Sequence, residues 1–552
     1  MEYNLADLFE SIVDVVPDRE ALVYVDHPGT GAERRLTYAE LDAAANRIAH
    51  HLASRGVAPG QHVGLHLYNC VEYLQTALAC LKMRAVPVNV NYRYVADELA
   101  YLYRDADLVA LVYDAEFGER VAVAAGTVAA PTGRLRHLVR VGEPTSPPAG
   151  LAGSALPDVV SYADAEASGS PERDFGARSG DDQIIIYTGG TTGMPKGVMW
   201  RAEDLFFSGL GGGAPTGEPV RRAAELAERV AAGGDGLVFF PTAPLMHGTS
   251  TLTAFIGFFF GQKVVIHRKY VPEEVLRTIE RERVTSVSLV GDAMLRPLAD
   301  ALAGPLKGTD CSSLLSLSSS GAILSETVRG QFQALVPNVL ILNNFGSSES
   351  GFNGTATGDA GPRRGFRLRV NSRTTVVDPA TRRPVAPGEI GRLAQRGQVP
   401  LGYYNDPAKT TETFFRDARG ERWVLLGDVA TVDEEGVVTV LGRGSQCINT
   451  GGEKVFPEEV EEALKSHPGV YDVLVAGVPD PRWGNRVAAV VQPCVGVADL
   501  TLVELQEHCR ERLAGYKIPR ALVLTSEIRR SPSGKADYRW ARSVVAAAVR
   551  LG

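Results

Sequence analysis

The run Tyr187-Thr188-Gly189-Gly190-Thr191-Thr192-Gly193-Met194-Pro195-Lys196-Gly197 decides how this chain is read. It continues Gln183-Ile184-Ile185-Ile186, an apolar segment of strand length, so a polar loop emerges from a buried strand end. Glycines let backbone N–H groups approach an anion closely, while Thr188, Thr191 and Thr192 add hydroxyls and Lys196 adds a full positive charge. That composition suits polyphosphate. It is not a Walker A loop, because Lys196 is followed by Gly197 where that pattern needs Ser or Thr. The competing reading is a plain Gly/Thr surface loop, against which the leading strand and the Pro-Lys-Gly ending argue.

At 552 residues the chain exceeds what one hydrophobic core supports, so two or more domains are expected. Hydrophobic residues at 45% and charged residues at 22% describe an ordinary globular composition. A formal charge of −8 without a Lys/Arg block gives no footprint for nucleic acid or anionic membranes. The six cysteines form no C-x-x-C pair, which favours reduced thiols over zinc or disulfides. Met1-Glu2-Tyr3-Asn4 lacks the basic-then-apolar order of a secretory signal, so a cytoplasmic location is expected. The apolar run 252–260 is far shorter than the roughly 20 residues of a membrane helix and reads as a buried helix, without stable membrane insertion.

Thr37-Tyr38-Ala39-Glu40 is a capping-box pattern that opens a helix over 36–56, with Leu41, Ile48 and Leu52 on one face. Short apolar runs at 63–67, 86–90 and 108–112 alternate with helical stretches such as 71–83, predicting parallel strands with crossover helices. The Gly-rich stretches 143–157 and 209–217 read as surface loops without assigned chemistry. Beyond 360 the texture changes to short strands and turns, a small β-rich subdomain. Residues 443–552 read as a compact α+β unit, so the expected domains are 1–442 and 443–552, parted at Gly442-Arg443-Gly444. The fold class is α/β.

Asn343-Asn344-Phe345-Gly346-Ser347-Ser348-Glu349-Ser350-Gly351 follows the apolar run 339–342, again a strand delivering polar residues at its carboxyl end. Glu349 can hold Mg²⁺ and Phe345 offers a flat face to a purine; alone, a polar loop with a solvated Glu explains it equally. Asp428 can accept from both ribose hydroxyls and Arg443 can meet a sugar or phosphate oxygen, the alternative being an ion pair bracketing a hairpin. Lys535 stands on the Gly/Pro-shaped loop Ser531-Pro532-Ser533-Gly534-Lys535. His247, in Pro244-Leu245-Met246-His247-Gly248, is as often a core residue as a functional one, and Asp292 either recognises a polar substrate group or caps a helix.

Taken together these motifs resemble the adenylate-forming superfamily, which includes acyl-CoA synthetases, the adenylation domains of peptide synthetases and firefly luciferase. The run 187–197 resembles its phosphate loop, so Thr188, Gly189, Gly190, Thr191, Thr192 and Lys196 are implied to bind the ATP phosphates. Asn344-Phe345-Gly346-Ser347-Ser348-Glu349 resembles its aromatic-Gly-x-Thr-Glu motif, with Phe345 for Tyr and Ser348 for Thr. Ser319-Ser320-Gly321-Ala322 resembles the adenine-pocket segment, and Asp428 with Arg443 the ribose pair. The Pro-x-Gly-Lys ending implies a catalytic role for Lys535 in adenylation, beside Thr188 and Glu349, and His247, Asp292, Gly346 and Gly351 are implied to border the acid.

The resemblance covers essentially the whole chain. It implies a large N-terminal domain of parallel-sheet α/β subdomains plus the β-rich one, and a small mobile C-terminal domain. It also implies activation of a small-molecule carboxylic acid by ATP and Mg²⁺, followed by transfer to CoA after that domain rotates about Gln446, where the family usually has Asp or Lys. Asn449 stands where many members have Lys. The segment 442–454 looks most like actinobacterial fatty-acid and sterol side-chain CoA ligases. An alternative is an ATP-dependent diazotase that adenylates nitrite for attack by an aryl amine. A homodimer is compatible with either.

Overall fold

The computed structural model describes residues 2–26, 33–128, 134–143, 158–189, 194–214, 217–234, 236–322, 324–356, 366–450, 453–497, 500–531 and 534–551. Gly190, Thr191 and Thr192 of the phosphate loop therefore lie outside the described residues.

Apolar runs separated by amphipathic helices build two sheets, one largely parallel and one that joins a parallel half to an antiparallel half. The first has eight strands, with Gln183–Thr188, Val86–Asn89, His62–His66, Leu108–Asp114, His137–Val141 and Asp158–Ser161 parallel in that spatial order. Lys196–Arg201 folds back antiparallel on Gln183–Thr188, with Lys196 opposite Thr188. The expected helices are present: Tyr38–Ser54, closed at its start by the Thr37/Glu40 capping box, leads into His62–His66, and Val71–Lys82 crosses over from there to Val86–Asn89.

The second sheet has fourteen strands. Val238–Pro241, Ser286–Leu289, Ser316–Ser319 and the first half of Leu340–Ser347 run parallel. One of their faces, with Val287, Leu289, Leu317 and Ile341, packs on Leu295, Leu298, Val328 and Phe332 of the covering helices. Burial of each such side chain stabilises by about 1.5–3 kcal/mol. Past Asn343 the strand Leu340–Ser347 changes partner and pairs antiparallel with Gly351–Ala356. The β-rich subdomain expected beyond 360 is thereby continuous with the parallel sheet rather than a separate one, because this one strand belongs to both.

The third sheet has five strands and carries the C-terminal unit. Val438–Arg443 still pairs with Arg422–Val432, whereas Ile448–Thr450 already belongs to the small sheet; a single short turn, Gly444–Gln446, joins them. All six cysteines are free, and no helix among the described residues is long and apolar enough to cross a membrane. The apolar run 252–260 lies within or just beyond the packed helix Gly248–Phe259.

The hairpin that carries Glu349 is pressed into place by glycines. A Cβ at Gly346 would lie 2.2 Å from the Gly351 carbonyl oxygen. Gly351 has φ +69°, and a Cβ there would lie 2.6 Å from the Ser208 carbonyl oxygen. Trp200 Nε1 donates to the Ser348 carbonyl at 2.9 Å, tying the hairpin to the first sheet. Gly351→Ala should destabilise the protein by about 1–3 kcal/mol in urea denaturation, since the Ser208 backbone must yield and the left-handed φ disfavours a Cβ.

Candidate active site

The carboxyl ends of the parallel strands converge on one cavity of about 1360 Å³, into which both structural units project. From the large unit it takes Thr188, Gly189, His247, Gly321, Asn344, Phe345, Gly346, Ser348 and Gly351; from the small unit, Lys535 and Gln446. Residues from six separate stretches of sequence thus face one space, where open α/β sheets bind ligands.

Lys535 is exposed, but to the cavity it lines. Its loop is a tight turn: Gly534 N donates to the Ser531 carbonyl at 2.9 Å and Ser531 N to the Lys535 carbonyl at 2.8 Å. Gly534 has φ +69°, and a Cβ there would stand 2.9 Å from the Val290 carbonyl oxygen, so the loop sits directly on the large unit. A Cβ at Gly321 would lie 3.9 Å from Lys535 Cε, which places the lysine chain over Gly321. Desolvation, and then the Arg443 guanidinium, lower the Lys535 pKa, with Glu349 opposing them.

Glu349 accepts from Tyr403 Oη at 3.1 Å. The Tyr403 ring also lies 5.4 Å from Lys196 Nζ, which pairs with Asp406 at 3.0 Å. Tyr403 therefore stands between the lysine of the phosphate loop and the candidate metal carboxylate. One carboxylate beside a phosphate loop fits Mg²⁺, which takes one or two carboxylates together with substrate phosphates. No group of three or more His, Cys, Asp or Glu able to hold a metal unaided occurs among the described residues.

Asp428 is buried and faces Arg443 at 3.5 Å, directly opposite it in the hairpin register. Burial raises the Asp428 pKa, Arg443 lowers it and Glu349 raises it again. The ion pair allowed as an alternative at the sequence level is thus present, and neither residue lines the cavity itself. Asn344 is held by both ends of its amide, donating to Ser318 Oγ at 3.0 Å and accepting from Thr355 Oγ1 at 2.8 Å. His247 occupies the N-cap of Gly248–Phe259, and its Nε2 is buried without a partner among the described residues. Burial first, and the Lys535 charge second, push the imidazole down to about 3, so it is neutral.

Three expectations are corrected. Asp292 does not line the cavity: it is buried, accepts from Ser325 N at 2.8 Å and pairs with Lys465 of the small unit at 2.8 Å. A buried carboxylate needs a partner, and here the partner is another domain's ammonium. The Gly-rich stretch 209–217 is not mere surface, since Gly209, Gly211, Ala214 and Gly217 line the cavity. Ala322 packs against the second core rather than the cavity.

Several positioning residues were not singled out in the sequence. Asn89 donates to the carbonyls of Tyr187 at 2.9 Å and Met246 at 2.7 Å, fastening the phosphate-loop strand to the His247 turn. Its signal was a lone amide inside the apolar run 86–90. Tyr403 and Asp406 carried none.

The family described as AMP-binding enzyme matches residues 9–404, and the AMP-binding enzyme C-terminal domain matches 459–535. The chain belongs to the AMP-binding enzyme family. Within it, the chain is 44% identical over 546 residues to the medium/long-chain-fatty-acid–CoA/3-oxocholest-4-en-26-oate–CoA ligase of Mycobacterium tuberculosis, spanning 98% of this chain and 95% of the relative. It is 44% identical to the 3-oxocholest-4-en-26-oate–CoA ligase of Rhodococcus rhodochrous, over 98% of this chain and 96% of that one. Among solved structures, the anthranilate CoA ligase AuaEII in complex with anthranoyl-AMP superposes with a TM-score of 0.82 at 25% identity, over 100% of this chain and 98% of that one. ATP-bound MatB from Rhodopseudomonas palustris gives 0.78 at 25% identity, over 99% of each chain.

Because its ammonium is disfavoured by burial and by Arg443, Lys535 should lose its proton below the usual lysine value of 10.5. In the protein with ¹³C-methylated lysines, one resonance is expected to titrate early, and Lys535→Arg should remove it. A Lys535 signal titrating at or above 10.5 would contradict the environment described here.

Proposed function

We propose that this family member is an AMP-forming acyl-CoA ligase: it joins a carboxylic acid to ATP as an acyl-adenylate, then passes the acyl group to CoA. The observation that carries the reading is Lys535, brought by the small unit into a cavity that also holds the ends of the phosphate-loop and Phe345–Glu349 strands. Full-length similarity to proteins named as CoA ligases supports CoA as the acceptor. The diazotase alternative gains no support from these relatives.

In the first step a carboxylate oxygen attacks the α-phosphorus of ATP and the bond to pyrophosphate breaks. Lys535 offers its ammonium to the charge developing on the α-phosphoryl oxygens, in a site already partly desolvated. Thr188, Gly189, Gly190, Thr191, Thr192 and Lys196 receive the departing phosphates. Glu349 would hold Mg²⁺, which supplies charge neutralisation on phosphate oxygens when bound. Phe345 and Gly321 flank the base with Asn344, and Ser348 adds a hydroxyl. Asp428 and Arg443 serve the ribose, the carboxylate being preset by its pairing. Neutral His247, with Gly346 and Gly351, borders the acid. In the second step the CoA thiol attacks the acyl carbon and AMP leaves.

The acid is a large apolar one. Away from Lys535 the cavity is walled by Leu205, Phe207, Phe239, Leu252, Ile256 and Phe260, which offer hydrocarbon contact and few charges. This agrees with relatives named for medium- and long-chain fatty acids and for a steroid acid. We place the working boundary between the two catalytic domains at 442/443, immediately before the connecting turn Gly444–Gln446.

Incubation with Mg-ATP, CoA and a panel of fatty, aromatic and steroid acids should yield AMP together with thioesters of the larger apolar acids, read by mass. AMP formation with nitrite and an aryl amine, and with no acid, would overturn the ligase reading.

A further inference from the structure

One face of the second parallel sheet forms the floor of the cavity, and that floor is hydroxylated. On Ser286–Leu289 and Ser316–Ser319 the side chains facing it are Ser286, Ser288, Ser316 and Ser318, while the intervening Val287, Leu289 and Leu317 face the core. The opposite wall, from the helix Gly248–Phe259, presents Leu252 and Ile256. A plain hydrocarbon chain lying between them would leave any free hydroxyl on the floor without a hydrogen bond.

Most of the floor is already satisfied by the protein. Ser316 Oγ donates to Ser286 Oγ at 3.0 Å, and Ser318 Oγ accepts from Asn344 Nδ2 at 3.0 Å. Ser288 is different. It is only 4% exposed, its Oγ has no hydrogen-bond partner among the described residues, and it lines the cavity. Its backbone is rigid, because the Ser288 carbonyl accepts from both Thr242 N at 2.9 Å and Thr242 Oγ1 at 2.8 Å. A buried, fixed hydroxyl without a partner is a group prepared to receive one from a ligand.

Its depth follows from the strand. Val290, two residues on, meets the loop of Lys535. At ~3.3 Å per strand residue, Ser288 stands ~7 Å from that point, on the way into the apolar interior. We propose that Ser288 is a subsite for an oxygen atom borne on the acyl chain a short way from its carboxyl group, so that the enzyme selects acids carrying a hydroxyl or carbonyl there. A serine hydroxyl both donates and accepts, so it serves either group. Ser286 and Ser316 continue the polar strip inward and let the oxygenated segment lie against the sheet while the rest of the chain packs on the helix.

The proposal rests on the ligase reading, and its test separates the two. kcat/KM for thioester formation is measured for a long-chain acid and for the same acid with a hydroxyl or oxo group stepped along the chain. For the intact protein the oxygenated-to-plain ratio should peak at one position near the carboxyl end, at roughly tenfold or more. Ser288→Ala should bring that ratio down by about tenfold, and Ser288→Thr, which keeps the hydroxyl, should retain it. Turnover of both acids with the same ratio in Ser288→Ala as in the unsubstituted protein would overturn the subsite and leave the ligase standing. Absence of thioester from every acid would overturn both.

Discussion

The arrangement of the active site depends on a buried ionic relay between the two domains. Lys465, on the small domain's helix Pro457–Lys465, pairs with Asp292 of the large domain at 2.8 Å and lies 3.8 Å from Asp472. Asp472 takes both arms of the Arg530 guanidinium at 2.7 Å, and Arg530 Nη1 donates to the Gly534 carbonyl at 3.2 Å. The relay therefore runs from the large domain to the residue before Lys535. Such pairs add little net stability, but removing one partner costs about 3–5 kcal/mol because the other is left charged and buried. Their value here is orientation: they hold the lysine loop on Val290, where Lys535 can reach the cavity.

The same relay is suited to being broken and remade. The small domain also meets the large one through polar contacts, such as Arg296 Nη1 to the Val470 carbonyl at 3.4 Å and Tyr471 Oη to Asp300 at 3.3 Å. The connecting turn Gly444–Gln446 is short, and Gln446 is held by Arg542 at 3.2 Å. Beside it, Glu458 is buried without a partner for Oε2, and burial, with Glu461 nearby, pushes its carboxyl up to about 8. A Cβ on Gly442 would lie 2.6 Å from that same oxygen. A two-step reaction with separate demands for phosphate chemistry and thiol entry gains from an interface held by specific polar pairs.

Much of this was legible in the chain. The capping box at Thr37, the alternation of apolar runs with helices, and the strand leading into the 187–197 loop are local signals, and each became the element it announced, whereas the run 343–347, read as a polar loop, continues the strand Leu340–Ser347. Lys535, Gly321 and Phe345 could be proposed as neighbours because each motif was read whole. The failures were relational. Asp292 looked like a pocket residue because its partner lies 173 positions away in another domain. The stretch 209–217 looked like surface because glycines announce turns, not which cavity the turn will line. Tyr403 gave no signal at all, for its role comes from strand pairing between Gly402–Tyr403 and Lys196–Arg201.

The central claim is that the domain arrangement described here is the one that makes the adenylate, with Lys535 acting on the α-phosphoryl group. The direct measurement is Lys535→Ala assayed on the two half-reactions separately. The account predicts that acid-dependent ATP–pyrophosphate exchange falls by about a hundredfold or more, while thioester formation from supplied acyl-adenylate and CoA changes by less than about threefold. Equal losses in both half-reactions, or an exchange rate left intact, would contradict it.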